Sequence, residues 1–258
     1  MNSKPILLVA GEPNSIFLEI LFKTYRRRKI KKPLILICSY KLLVLQMKKL
    51  GYKKKIKIIN IKKIKKYKLD NKFINLIDVK YQQKEAFEKI SSKSNTYIEN
   101  CFKTAIKLIN LGIVNNLING PISKKYFLKN KFLGITEYLA KRSNKKNIAM
   151  LIFNKKLSVC PITTHLPLKK VSKKINKSII FEKIVLIDNF FKKYFGYKPK
   201  IAITGLNPHC ESIEKLNEDK RILEPAIRSL VKRKYRVSGP YSADTIFLKK
   251  NRVKFNVI

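Results

Sequence analysis

The chain has 258 residues, enough for one large or two small domains, and its 45% apolar share is ordinary for a globular protein. Its 59 Lys and Arg against 16 Asp and Glu give a formal net charge of +43. No apolar run reaches the roughly 18 residues of a membrane helix, and four scattered cysteines without a CxxC pair argue against a disulfide framework or a cysteine zinc site. The start, MNSKPILLVAGEP, lacks the separated regions of a signal peptide, so a cytoplasmic protein with reduced thiols and no membrane partner is expected. Lysine is spread along the whole chain beside abundant Ile, Asn and Tyr, while Trp is absent. That pattern points to chain-wide nucleotide bias. A selected nucleic-acid surface would be patchy and interleaved with base-stacking groups.

In chain order, PILLVAGEPN predicts a buried strand ending in a turn, and IFLEILFKTYRRR a helix. PLILICS at 33–39 predicts a second buried strand, and VLQMKKLG at 44–51 the end of a helix stopped by Gly51. The basic run at 53–68 reads as a solvated edge strand and its flanks, whose lysines oppose edge pairing. Thr96 to Gly112 predicts an amphipathic helix with Thr96 and Glu99 as a capping box and Ile98, Phe102, Ala105, Ile106 and Ile109 on one face. VNNLINGPISK returns to a strand and an Asn-Gly-Pro loop. Residues 148–162 predict two strands around a turn at Asn154, and 178–196 an amphipathic helix ending at Gly196. KPKIAITGLNPH predicts a strand running into a loop, 218–235 a helix with Pro225 in its first turns, and VSGPYSADTIF a turn and the start of another element. This strand–helix rhythm predicts an α/β fold with parallel strands.

In such folds, sites lie in loops beyond the carboxyl ends of strands. His165 in TTHLPL and His209 in GLNPH both follow predicted strands, and imidazole is a ligand for borderline metals. The other reading is two loop histidines acting as caps or hydrogen-bond donors. Cys210 adjoins His209 but need not point the same way. NGPISK at 119–124 puts a Gly, a Ser and Lys124 at a strand-to-helix turn, where backbone N–H groups can hold phosphate or serve as a plain cap. Thr136 and Glu137 in GITEY have a similar setting. Glu12 and Asp244 can support a site or cap neighbouring loops. Neither GxGxxG nor GxxxxGK[ST] occurs, so the common nucleotide fingerprints lend no support.

Taken together, VAGEPNSIFLE at 9–19, NGPISK at 119–124, GITEYLA at 134–140, TTHLPLKKV at 163–171, TGLNPH at 204–209 and GPYSADTIF at 239–247 resemble the 4-hydroxythreonine-4-phosphate dehydrogenase family. Their order and rough spacing agree with that family from residue 5 to 247. The resemblance implies homodimers of two α/β domains, similar in fold to isocitrate and isopropylmalate dehydrogenases. It implies NAD- or NADP-dependent oxidation of 4-phosphooxy-L-threonine, a phosphorylated hydroxy amino acid, in pyridoxine 5'-phosphate biosynthesis. It also implies a divalent metal (Zn, Mg or Co) held by three histidines drawn from both subunits. His165 and His209 match two of those histidines, and Thr136 matches a substrate-contacting threonine.

The sequence departs from the family in several places. Ile135 stands where the family has a substrate-binding histidine, and isoleucine donates no side-chain hydrogen bond. Ser15 and Phe17 replace glycines of the first loop, and CESIEKLNE replaces a glycine-rich run after His209. The sequence stops before the family's His-Asp-Gln-Gly motif and its substrate-contacting Lys, Asn and Arg. A C-terminally shortened member with an incomplete metal site is therefore expected. The expected domains are 1–115, completed by part of 235–258, and 116–234, which carries the dimer contacts. Three other readings stay open: an inactive homologue, a dehydrogenase of a related four-carbon hydroxy-acid phosphate, and a noncatalytic basic binding protein.

Overall fold

The computed structural model describes residues 4–129, 131–210 and 217–258. It divides into two compact units, Met1–Asn144 and Lys145–Ile258.

The first unit is built on a five-stranded parallel sheet in the order β3-β4-β2-β1-β5. Its strands are β1 (Ile6–Val9), β2 (Leu34–Cys38), β3 (Ile56–Ile58), β4 (Ile74–Asp78) and β5 (Asn116–Asn119). All five residues of β2 are buried, as a central strand covered on both faces must be. Strand periodicity then sorts the side chains into two cores. Leu7, Val9, Ile35, Ile37 and Ile77 face one side, where α3 (Asn95–Asn110) adds Ile98, Cys101, Phe102, Ala105 and Leu108. Leu8, Leu34, Leu36, Ile74 and Leu76 face the other. There α1 (Phe17–Arg27) adds Leu18, Leu21 and Phe22, and α2 (Tyr40–Lys49) adds Leu43 and Met47. A fourth helix, α4 (Ile135–Arg142), places Tyr138 against the α3 face.

Within the basic segment, Ile56–Ile58 form the edge strand β3, and Ile61–Lys66 coil into a 3-10 helix in place of a longer strand. The capping box on α3 does not form. The helix begins one residue earlier, at Asn95, with no side-chain cap, and Glu99 instead pairs with Arg142 at 2.7 Å and Lys103 at 3.3 Å.

The second unit has a two-stranded parallel sheet of β6 (Ile201–Thr204) and β7 (Val237–Tyr241). Val257 bridges both Ile201 and Ser158 in parallel. The expected strand pair at 148–162 is reduced to one antiparallel bridge, Ile152 to Val159. The short α5 (Val171–Lys174) leads to α6 (Lys177–Phe195), which starts on an Asn176 side chain that accepts from Ile179 N at 3.0 Å. It ends on left-handed Gly196, φ 77°, a conformation that glycine takes without steric penalty. Its Ile180, Ile184, Ile187 and Phe191 share one helical stripe. They pack with Ile201, Val237, Val257 and with Ala226, Ile227 and Leu230 of α7 (Glu224–Lys232). The segment 218–235 is thus an α-helix only from Glu224, preceded by a wider π turn over Asp219–Leu223. VSGPY is strand β7, not a turn. A last turn, α8 (Lys249–Arg252), precedes Val257.

The division differs from the one expected. It falls after Asn144: β5 pairs with β1 along four residues, and Leu128 and Tyr138 are buried in the α3-side core. Within 235–258, β7 and Val257 pair with β6, and the segment belongs to the second unit.

Candidate functional site

In the first unit, the loops after β1 and β5 lie at the carboxyl edge of the sheet and are zipped together by backbone. Gly120 N donates to Val9 O at 2.7 Å, and Glu12 N donates to Pro121 O at 2.8 Å. A Cβ on Gly120 would lie 2.1 Å from Ala10 O, and one on left-handed Gly11 would lie 2.4 Å from Pro121 O. Glycine at 120 therefore serves backbone-to-backbone packing. Glu12 is buried beside this junction, accepting from Ser94 Oγ at 3.0 Å and from Asn14 N at 3.3 Å. These contacts make it a brace between loops. Phe17, at an expected glycine position, packs against the core on the α1 side.

Lys124 is exposed at the start of a single π turn, Lys124–Leu128, which Ser123 caps by accepting from Tyr126 N at 3.1 Å. Thr136 is half-buried in the first turn of α4. Its neighbour Ile135 packs against the α3-side core, an apolar setting that accounts for an aliphatic side chain there.

In the second unit, His165 and His209 both occupy loops beyond strand-like segments. Both are exposed and left-handed, with φ 56° and 55°. Positive φ is uncommon for residues other than glycine, and such strain persists only where surrounding contacts hold it. The turn after β6 is held in several ways. Asp219, itself buried, accepts from Leu206 N at 2.7 Å and from Asn207 N and Nδ2 at 3.2 Å each. Cys210 N donates back to Asn207 O at 3.1 Å. His209 Nδ1 meets Asp244 Oδ2 at 3.2 Å, and Ser242 Oγ donates to the other oxygen of Asp244. The Ser242 hydroxyl, then nearby His209, draws the Asp244 carboxyl below its ordinary range. The Glu211–Leu216 part of CESIEKLNE lies outside the described residues.

Three loops of this unit converge on one cavity of about 320 Å³. Thr163 from the His165 loop, Gly205 and Leu206 from the His209 loop, and Ala243 beside Asp244 all line it. Its walls are otherwise mostly aliphatic, from Ile184, Ile187 and their neighbours, with Lys183 the one charged lining residue among the described residues. The volume sits at the low end for small-molecule sites.

Among the described residues, no group of three or more His, Cys, Asp or Glu side chains forms a metal cluster. His209 does fit a metal ligand in kind. A carboxylate on one ring nitrogen fixes the ring and leaves Nε2 to coordinate, and its side chain is 71% exposed. His165 is a second imidazole, in the loop whose Thr163 lines the same cavity. Among the described residues, these two loops bring no three such donors together. Sequence reading missed Asp219, Ser242 and Lys183. The one signal for Asp219 was scarcity, since a carboxylate is rare in a chain with 16 acidic and 59 basic residues.

A parallel sheet covered by helices on both faces, with candidate loops at strand carboxyl ends, defines a Rossmann-like α/β protein. No helix is long and apolar enough to cross a membrane, among the described residues. Residues 29–258 match the family model of the pyridoxal phosphate biosynthetic protein PdxA. The chain is 35% identical to 4-hydroxythreonine-4-phosphate dehydrogenase of Sulfurihydrogenibium, over 96% of this chain and 76% of the relative. It is 28% identical to D-threonate 4-phosphate dehydrogenase of Salmonella typhimurium, over 100% of this chain and 80% of the relative. The crystal structure of 4-hydroxythreonine-4-phosphate dehydrogenase from Klebsiella pneumoniae superimposes with a TM-score of 0.84 at 25% identity, covering 99% of this chain and 80% of that one. The chain belongs to the PdxA family of 4-hydroxythreonine-4-phosphate dehydrogenases, an oxidoreductase family of pyridoxine biosynthesis.

Proposed function

We propose that this protein oxidises 4-phosphooxy-L-threonine with NAD or NADP. The product, 2-amino-3-oxo-4-phosphooxybutanoate, loses carbon dioxide to give 3-amino-2-oxopropyl phosphate. In the oxidation, the carbinol C–H leaves as hydride to the nicotinamide and the hydroxyl gives up its proton. The cofactor carries that chemistry, and the protein binds and orients. Thr136, from the first turn of α4, contacts the substrate, and exposed Lys124 contributes a cation for its phosphate. His165 and His209 offer imidazoles to a divalent metal, with Asp244 orienting His209. When bound, a divalent ion (Zn, Mg or Co) supplies Lewis-acid polarisation of the substrate oxygen. Glu12 supports the site indirectly by holding the first loop in place. The protein acts in the cytoplasm as a homodimer, with the two-domain architecture of isocitrate and isopropylmalate dehydrogenases.

The observation that carries this reading is the near-complete alignment of the chain with a 35% identical dehydrogenase of this substrate. The test is incubation of the purified chain with 4-phosphooxy-L-threonine, a divalent metal and either nicotinamide. Reduced nicotinamide and released carbon dioxide support the reading. Their absence with every metal and both cofactors removes it.

A second reading is oxidation of D-threonate 4-phosphate. It is favoured by the 28% identity with an enzyme of that name across the whole chain, and by Ile135 where a substrate-binding histidine was expected. Parallel kinetics on the two substrates decide between them, the larger kcat/KM marking the true one.

A further inference from the structure

We propose that Asp219 is the positioning residue of the His209 loop. The carboxylate is 1% exposed, and a charge so deeply buried is tolerated only where hydrogen bonds replace its water. Among the described residues, its carboxylate accepts from one distant stretch: Leu206 N, Asn207 N and Asn207 Nδ2. An aspartate at the start of a helical turn ordinarily caps that turn. Here Asp219 spends its oxygens on the loop twelve and thirteen residues earlier instead.

The consequence reaches His209 through the backbone. Leu206 and Asn207 are pinned by the carboxylate, and Asn207 O then accepts from Cys210 N at 3.1 Å, closing the turn that contains His209. His209 and Cys210 are both left-handed, φ 55° and 61°, so the turn is strained and relaxes if released. The turn is also tight, since a Cβ on Gly205 would lie 2.6 Å from Cys210 Sγ. Asp244 then fixes the ring at Nδ1. Two carboxylates therefore set one imidazole, Asp219 through the backbone and Asp244 through the ring. Asp219 touches no reacting atom and acts only through His209.

The inference deepens the proposed role of His209 as a metal ligand, and its test separates the two. In the whole chain, amide hydrogen exchange at Leu206 and Asn207 and ring-carbon relaxation of His209 are compared between the native protein and Asp219→Asn. The expected result is exchange at least tenfold faster at both amides and a mobile His209 ring. Val9, in the other unit, should be unchanged. If Asp219→Asn does not fold, Asn207→Ala leaves both backbone bonds to Asp219 and removes the side-chain bonds to Asp219 and Glu218, and is expected to give a smaller change of the same sign. Native-like exchange and ring relaxation in a folded variant would overturn the proposal.

Zinc titration adds the functional arm. Loss of an outer-shell partner weakens metal binding by about tenfold or more. Asp219→Asn should do so, with His209→Ala as the reference. If His209→Ala leaves zinc affinity unchanged, the metal reading of His209 fails, and the exchange and relaxation data still decide on Asp219. If His209→Ala abolishes binding while Asp219→Asn does not weaken it, the positioning role fails.

Discussion

Gly120→Ala probes the junction that ties the loops after β1 and β5 at the carboxyl edge of the first sheet. The added Cβ would lie 2.1 Å from Ala10 O, 2.8 Å from Ala10 C and 2.9 Å from Phe17 Cδ2. Two of those atoms are backbone, so side-chain rotation cannot relieve the clash. The loops must separate by about an ångström, which stretches Gly120 N to Val9 O and Glu12 N to Pro121 O beyond hydrogen-bonding range. Each lost bond costs about 0.5–1.5 kcal/mol, and a donor left buried without a partner costs about 1–3 kcal/mol. The expected destabilisation of the first unit is therefore about 2–5 kcal/mol. At a urea slope of about 2 kcal/mol/M, the midpoint falls by about 1–2.5 M. The assay is urea unfolding followed by circular dichroism, with amide exchange at Val9 assigning the transition to the first unit. A midpoint within about 0.2 M of the native protein would refute the packing role given to Gly120, and would return the NGPISK loop to consideration as an open anion cradle.

Other outcomes follow from the same geometry. Asp244→Asn removes the charged brace on His209 and should weaken zinc binding about tenfold, read by calorimetric titration; an unchanged affinity would separate the carboxylate from the ligand. Burial pushes the Cys101 thiol up to about 12, and burial with neighbouring Tyr52 pushes the Tyr25 hydroxyl to about 12. Both groups hold their protons more tightly when folded, so their contribution to stability is intact below pH 9 and is lost as pH rises towards 12. Urea midpoints should fall across that window, and a flat profile would contradict the burial of these groups. The +43 charge should give oligonucleotide binding that collapses near physiological salt, and tight binding at that salt would favour a nucleic-acid role instead.

The sequence shows clearly whatever short-range patterns control. β1 and β2 read as buried strands because ILLV and LILIC are apolar throughout, and α6 shows its stripe and its Gly196 stop. The histidine loops were also legible, since each followed a strand-like run. What escaped depended on long-range pairing. β4 is a five-residue run, INLID, whose strand identity comes from lying between β2 and β3. β5 joins the first sheet through its pairing with β1, and with Leu128 and Tyr138 buried in the α3-side core the division between units falls at 144 and not 115. Glu99 had a helix-cap pattern but meets Arg142, 43 residues away. Asp219 had no local pattern at all, because its partners lie across a loop.

The most direct test of the functional account is substrate oxidation compared between the native chain and His209→Ala. Both proteins are supplied with 4-phosphooxy-L-threonine, zinc and NAD or NADP, and nicotinamide reduction is followed. The account predicts reduction by the native chain, with turnover and zinc affinity lost together in the variant. Equal turnover and equal zinc affinity in the two proteins would contradict it.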